Sequence, residues 1–153
     1  MALTFHIGEL EQEDVQALLA LHVAAMRGHS PPEACHVLPP GALNQPEITF
    51  FTARSGGRLA CIGALKALGA EEAEIKSMRV APAFARQGIG RAMLERLVAE
   101  ARNRGYARLL LETGTTGDFA AANRLYDRSG FIVRGPFAGY PPSDFTRFMQ
   151  LEL

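Results

Sequence analysis

The sequence predicts an α/β (α+β) fold, a mixed and twisted sheet of about six to seven strands with helices on both faces. Three observations support this class. Two apolar runs joined across Ser55-Gly56-Gly57-Arg58 have the pattern of a β-hairpin. Two amphipathic segments, each ended by a glycine, alternate with short apolar runs. A Gly-x-Gly string stands where one apolar run turns into a helix.

In chain order, the pattern reads β-α-loop-β-β-β-α-β-α-β-β. A strand over residues 3–7 precedes a helix over residues 11–26, whose apolar side chains recur at three- and four-residue spacing behind an acidic first turn. Residues 28–46 are rich in Pro, Gly and His and predict a loop with room for one short helix. The remaining predicted strands cover residues 48–54, 59–67, 73–80, 108–112, 131–134 and 146–153.

The two later helices have the clearest signals. The segment 88–104 carries an apolar face with opposite charges at four-residue spacing on its other side, and Gly105 ends it. The segment 119–129 is ended by Gly130. The absence of a linker predicts a single domain over residues 1–153.

Composition excludes several classes of function. Lys+Arg and Asp+Glu both number 16, and a formal charge of zero argues against a nucleic-acid partner. Without a long apolar run or a signal-peptide pattern, we expect no membrane association and a cytoplasmic location. The two cysteines do not form a disulfide framework. His22, His29 and His36 fit no compact ligand pattern, so we expect no metal.

The turn into the helix at 88–104 has the character of a phosphate site. Pro82 stops the preceding strand, and the helix opens on Arg86-Gln87-Gly88-Ile89-Gly90-Arg91. Its first N–H groups lack intrahelical partners and carry the positive end of the helix dipole, which suits an anion. Met93 occupies the place of the third small residue of a dinucleotide fingerprint, and no P-loop Gly-Lys-Ser/Thr follows. We therefore expect a different phosphate-bearing cofactor.

The string V-x-P-x-x-x-x-x-G-x-G resembles the acyl-CoA pyrophosphate loop of the GNAT N-acetyltransferase superfamily, usually written Q/R-x-x-G-x-G/A. Ala85 replaces the Q/R residue, with Arg86 one place later. The segment from Asn123 through Tyr126 to Gly130-Phe131 is similar to the family's late helix, and the element order matches over nearly the whole chain. Further strings resemble a bacterial subgroup of small, mostly uncharacterised members: Ser30-Pro31-Pro32-Glu33, Glu74-Ile75-Lys76-Ser77-Met78-Arg79-Val80 and Glu112-Thr113-Gly114.

The resemblance implies the GNAT acyltransferase fold and acetyl-CoA as co-substrate. Met78 and Val80 would pair through their main chains with the pantetheine arm and polarise the thioester carbonyl, and Asn123 would bond the pantetheine or diphosphate region. Tyr126 would protonate the leaving thiolate, since a phenol with a reference pKa of ~10 keeps its proton at neutral pH. The full cofactor-binding set is Met78, Arg79, Val80, Arg86, Gln87, Gly88, Ile89, Gly90, Arg91, Asn123 and Tyr126.

The general base has three candidates. Glu74 lies four residues before Met78, on the same strand face if the strand is regular, and matches the glutamate base of the histone-acetylating branch. Glu112 is the second candidate and a chain of waters the third. The implied acceptor wall comprises Met26, Ser30, Glu33 and His36 on one side and Tyr140, Pro141 and Phe145 on the other.

Together these residues predict an N-acetyltransferase that moves the acetyl group of acetyl-CoA to a primary amine of a small molecule, an amino acid or another small amine, by direct attack in a ternary complex. The alternative is a non-catalytic acyl-CoA binding or sensing module of the same fold. Dimers are frequent in the family, and residues 146–153 are the candidate homodimer interface.

Overall fold

In a computed structural model that describes residues 2–153, the chain forms a seven-stranded sheet flanked by three α-helices. The sheet order is β1-β2-β3-β4-β5-β7-β6. The element order and the mixed sheet with helices on both faces confirm the predicted fold class. The strands are β1 (Thr4–Ile7), β2 (Ile48–Ser55), β3 (Arg58–Ala67), β4 (Glu72–Val80), β5 (Arg108–Gly114), β6 (Ile132–Arg134) and β7 (Thr146–Glu152), and the helices are α1 (Glu13–His29), α2 (Ile89–Asn103) and α3 (Ala120–Arg128).

The core lies in two layers, one on each face of the sheet. On one face, α2 buries Ile89, Met93 and Leu97 against side chains of the central strands. On the opposite face, α1 buries Val15 and Leu19 against a smaller cluster from β2 and β3. In both helices, the apolar residues at three- and four-residue spacing therefore form the side that faces the core.

Helix α1 runs from Glu13 to His29, shifted toward the C-terminus from the predicted 11–26. Gly8 and Glu9 both have positive φ, which forms a turn ahead of the helix and delays its start. The helix ends where Pro31 disfavours a helical conformation for Ser30, whose φ and ψ are −127° and 139°. The following loop holds two 3₁₀ turns, Pro32–Ala34 and Pro40–Leu43, rather than one short helix.

A largely buried arginine connects the start of α1 to the sheet. Arg54 on β2 donates to Glu9 Oε1 at 3.1 Å and to Asp14 Oδ2 at 2.6 Å. Its guanidinium also donates to Gln12 Oε1 at 2.9 Å. Hydrogen bonds from Thr52 and Arg54, together with the charge of Arg54, outweigh burial and hold the pKa of Glu9 below its ordinary range. The hydrogen bond and the charge of Arg54 do the same for the pKa of Asp14.

Strands β4 and β5 separate part-way along their length. They pair in parallel over Glu72–Glu74 and Arg108–Leu110. Beyond this point β4 continues beside β3 as far as Val80, and β5 continues beside β7 as far as Gly114. A gap therefore opens in the middle of the sheet, bordered by main chain of both strands.

A β-bulge at Ser77 changes which side chains of β4 face each layer. Ala64 pairs with Lys76 and Ile62 with Arg79, so two residues of β4 oppose one residue of β3. Ser77 has φ +55°, the left-handed conformation that a bulge can impose. The expectation that Glu74 and Met78 share a face was wrong, because the extra residue reverses the alternation. Met78 lies on the α2 side of the sheet, and Glu74 lies on the other.

Among residues 2–153, no helix combines the length and the apolar character that crossing a bilayer requires.

Candidate active site

The gap between β4 and β5 contains a cavity of about 210 Å³. Its floor comes from β4 and β5, and α1, the loop after it and α3 complete the walls. The chemically relevant lining residues are His22, Lys76, Arg79, Glu112, Asp118 and Tyr126. The cavity is small, lies at the bulge and holds groups of both charges.

Tyr126 reaches this cavity from α3, where it is the buried residue of the helix. Its ring packs against Phe131 with a centroid distance of 5.9 Å. Burial, supported by the nearby Glu112 carboxyl, raises the pKa of Tyr126 to about 12. The phenol therefore keeps its proton at neutral pH, as a proton donor must.

Glu112 lies on β5, on the wall of the gap. Burial raises the pKa of Glu112 to about 7, with Lys76 lowering it and Glu74 raising it further. A carboxyl group with a pKa near neutrality is well matched to accept and release protons at neutral pH. This residue was the second candidate for the base.

Glu74, the first candidate, is held in a buried polar cluster beside the cavity. Its side chain is 1% exposed, and Oε2 accepts from Tyr140 Oη at 2.8 Å and from Lys76 Nζ at 3.2 Å. Lys76 Nζ also donates to Tyr140 Oη at 2.7 Å, and the ring of His36 lies 4.8 Å from that of Tyr140. Within the described residues, Glu74 does not line the cavity and its Oε1 has no hydrogen-bond partner.

Arg79 and His22 form a second polar pair, on the α1 side of the cavity. Arg79 Nε donates to His22 Nδ1 at 3.0 Å. Burial, assisted by the positive charges of Arg79 and Lys76, lowers the pKa of His22 to about 4. The imidazole is therefore neutral at physiological pH and can accept this hydrogen bond.

The N-terminus of α2 has the features of an anion site. Arg86 and Gly88 both have positive φ, +62° and +76°, so the loop curls and presents successive N–H groups. Gly88 can adopt this conformation without a Cβ penalty. The backbone bond from Ala92 N–H to Gly88 O, 3.1 Å long, leaves the preceding helical amides available. Unlike α1, which has two acidic residues there, α2 has none in its first turn within the described chain.

These amides border a second cavity, a groove of about 930 Å³ between α2 and α3. Val80, Arg86, Gly88, Ile89, Gly90 and Arg91 line it, and Gln87 is exposed on the same loop. Arg102, Arg124 and Arg128 line it too, three basic residues that sequence reasoning did not assign. The end of β4 borders both cavities, since Met78 and Arg79 line the first and Val80 the second.

Asn123 has a structural contact. Its Nδ2 donates to Gly114 O at 2.9 Å, which ties α3 to the end of β5. Its side chain lines neither cavity among the described residues, so its contact with the cofactor stays a prediction. The bond to Gly114 instead fixes α3 and thereby Tyr126.

Of the implied acceptor wall, Met26 and His36 line the first cavity, together with His29. Tyr140 contacts it indirectly through Lys76. Met26 and His29 lie in the last turns of α1, whereas loops carry His36 and Tyr140, and periodicity does not specify how such loops fold.

The fold and the two cavities define a class of protein: one with a split mixed sheet, a groove at a helix N-terminus that has the features of an anion site, and a cavity in the split that a buried tyrosine lines. The sequence profile of the Acetyltransferase (GNAT) family matches residues 15–131. The chain therefore belongs to the GNAT family and is an acetyltransferase.

Individual relatives agree with this assignment. The chain is 41% identical over 150 residues to the uncharacterized N-acetyltransferase YedL of Escherichia coli K12, covering 98% of this chain and 94% of that protein. It is 41% identical over 147 residues to the uncharacterized N-acetyltransferase YsnE of Bacillus subtilis 168, covering 96% and 97%. A putative acyl-CoA N-acyltransferase from Klebsiella pneumoniae has a TM-score of 0.78 at 28% identity, covering 99% and 97%. The fold alone is shared with a GNAT family acetyltransferase from Elizabethkingia anophelis, with acetyl-CoA bound, which has a TM-score of 0.72 at 22% identity, covering 99% and 98%.

Proposed function

We propose that this acetyltransferase moves the acetyl group of acetyl-CoA to the primary amine of a small molecule, an amino acid or another small amine, by direct attack in a ternary complex. One observation carries the proposal: Tyr126 and Glu112 line the same cavity in the gap between β4 and β5. The pKa of Tyr126, about 12, keeps the phenol protonated so that it can act as an acid. The pKa of Glu112, about 7, lets its carboxylate accept a proton at neutral pH, as a base must.

The residues present fit CoA at the α2 end of the site. Free amides between Arg86 and Arg91 suit the diphosphate, and the basic residues of the groove suit the remaining phosphate. The main chain of Met78, Arg79 and Val80 borders the path from the groove to the gap, where it would pair with the pantetheine arm. The thioester supplies an activated acetyl group when bound.

The protein's own groups would then move two protons. The Glu112 carboxylate would accept a proton from the acceptor ammonium and leave a neutral amine that can attack. The Tyr126 hydroxyl would donate a proton to the departing thiolate, and the proton that the attacking nitrogen loses as the amide forms would return Tyr126 to the phenol. Glu74 would act on Glu112 electrostatically, since its charge raises the pKa of that carboxyl. We assign the base to Glu112 because it lines the cavity, whereas Glu74 is bonded to Tyr140 and Lys76.

The test is the replacement Tyr126→Phe, which removes the hydroxyl and keeps the ring. We expect kcat to fall by about 10²-fold or more, the usual contribution of a general acid, with the affinity for CoA unchanged. Turnover is followed by the loss of thioester absorbance and not by a thiol reagent that detects free CoA. The half-buried thiol of Cys35 would react with such a reagent and add to the signal. Tyr106→Phe, at a partly buried tyrosine packed beside α2, is the matched control. Equal kcat values for the two variants would remove Tyr126 from the mechanism.

We further propose that the chain works as a single domain in the cytoplasm, where acetyl-CoA is made and used. Homodimerisation through residues 146–153 is a separate proposal, and since β7 is paired with β5 and β6 along its edges, the interface would use side chains of this segment. Light scattering of the purified protein at several concentrations tests it, and a monomer at every concentration would contradict it.

A further inference from the structure

Arg79 is a partly buried cation that lacks an acidic partner. Its Nε donates to His22 Nδ1 at 3.0 Å, and no carboxylate of residues 2–153 lies within ion-pair distance of its guanidinium. The imidazole is neutral and contributes no negative charge. Burial lowers the pKa of Arg79, the direction expected of a charge whose water is removed without compensation.

Two other basic residues of the cavity have an acidic neighbour. Lys76 is paired with Glu74 at 3.2 Å. His29 lies 4.0 Å from Asp118, and both side chains are about half exposed at the edge of the site. Among residues 2–153, two groups that line the cavity and differ in sign therefore have no charged partner in direct contact, the guanidinium of Arg79 and the carboxyl of Glu112.

These two groups approach the cavity from different strands. Arg79 comes from β4, beyond the bulge, and Glu112 comes from β5, across the gap. A guanidinium presents N–H donors in a planar fork that matches a carboxylate. A partly buried guanidinium is costly unless a ligand compensates it, and a ligand with one anionic and one cationic end would compensate both groups.

We propose that the acceptor carries a free carboxylate near its amine, so that Arg79 binds the carboxylate while the ammonium meets Glu112. This assignment narrows the acceptor to amino acids and similar amino carboxylates, and it rests on the proposed function. A cavity of about 210 Å³ has room for a small member of this class. Arg79 would be a specificity-determining residue through its side chain, while its main chain serves the cofactor.

The experiment compares each of the common amino acids with its carboxamide, in which a neutral amide replaces the carboxylate. For the best acceptor, we expect the wild-type kcat/KM to be about 10- to 100-fold higher for the acid, since one or two charge-assisted hydrogen bonds are involved. In Arg79→Gln the preference should fall to about twofold, mainly through KM, and Arg79→Lys should retain part of it. Arg27→Gln, at an exposed arginine in the last turn of α1, is the control and should keep the full preference.

A second measurement does not need turnover. N-acetyl amino acids and their amides are titrated into each protein in the presence of CoA, and binding is followed by calorimetry. We expect the acids alone to bind the wild type measurably and to lose that binding in Arg79→Gln. Unchanged CoA affinity and unfolding temperature would show that this variant is folded.

The outcomes separate the two proposals. Turnover with equal rates for acid and carboxamide, or a preference that survives in Arg79→Gln, would overturn the carboxylate assignment and leave the acetyltransfer reaction standing. Absence of turnover with every acceptor would contradict the small-amine reaction, and the binding measurement would then decide the carboxylate assignment alone. Failure of every N-acetyl amino acid to bind would overturn it.

Discussion

The titration of Glu112 offers a direct test of the site. Burial raises the pKa of Glu112 from 4.5 to about 7, which corresponds to roughly 3 kcal/mol at about 1.4 kcal/mol for each pH unit. Because the pKa is higher in the folded state, native protein holds a proton that the unfolded chain releases between about pH 4.5 and 7. This contribution to stability is present below pH 4.5 and is lost as the pH rises through 7.

Replacing this carboxyl by an amide removes the pH-dependent penalty. The free energy of unfolding of Glu112→Gln, taken relative to that of the wild type at the same pH, should therefore rise by up to roughly 3 kcal/mol from pH 5 to pH 8. Urea denaturation at both pH values measures the difference. Glu95→Gln, at an exposed carboxylate on α2, controls for the loss of a surface charge. Since both comparisons are made at the same pH, the titration of His22 cancels.

Carbon-detected NMR of the glutamate carboxyls gives the pKa itself, with Glu112→Gln assigning the signal. Lys76→Met should move the midpoint upward and Glu74→Gln should move it downward, because these two charges act on Glu112 in opposite directions. If Glu112 is also the base, kcat/KM should rise with pH through the same midpoint in the wild type. A midpoint near 4.5, or a stability difference that is the same at pH 5 and pH 8, would refute the reasoning.

Two further predictions concern stability. A Cβ at Gly114 would lie 2.4 Å from the ring of Phe119, so Gly114→Ala should lower the free energy of unfolding by about 1–3 kcal/mol. The control is Gly117→Ala, where a Cβ meets open space and the free energy of unfolding should change by less than about 0.5 kcal/mol. Urea denaturation measures both. Arg54→Met should cost about 2–3 kcal/mol at pH 7. This loss of stability should be smaller in acid. The two carboxylates paired with Arg54 stabilise the folded state above their ordinary pKa values of 4.5 and 3.8, and this stabilisation disappears as the pH falls through their lowered pKa values in the folded state. Equal losses at pH 7 and pH 3 would contradict this.

Local patterns were enough to predict most of the fold. Helix α2 was predicted within a residue at each end, because its apolar face, its charge pairs and its terminal glycine agree with one another. The same reasoning identified the turn from Arg86 to Arg91, whose N–H groups depend on backbone conformation and helix direction rather than on distant contacts. Glu112 could be named from its place at the end of a predicted strand, and Tyr126 from the resemblance of residues 123–131 to the late helix of the family.

Features that depend on long-range contacts could not be predicted. The bulge at Ser77 arises from the register of β4 on β3, and it decides that Glu74 and Met78 face opposite sides of the sheet. The bond from Tyr140 to Glu74 joins residues 66 positions apart, through a loop without periodicity. The position of the Arg79 side chain follows from that same bulge, so sequence reasoning placed only its main chain at the site.

The parting of β4 from β5 has a consequence for how the protein responds to its ligands. Among residues 2–153, three register pairs, from Glu72 to Glu74 against Arg108 to Leu110, join the two halves of the sheet edge to edge. A ligand bound in the gap would contact both halves and restrict their movement relative to each other. Amide hydrogen exchange should therefore slow in both β3 and β7 when a ligand is bound in the gap, although neither strand lies beside the gap.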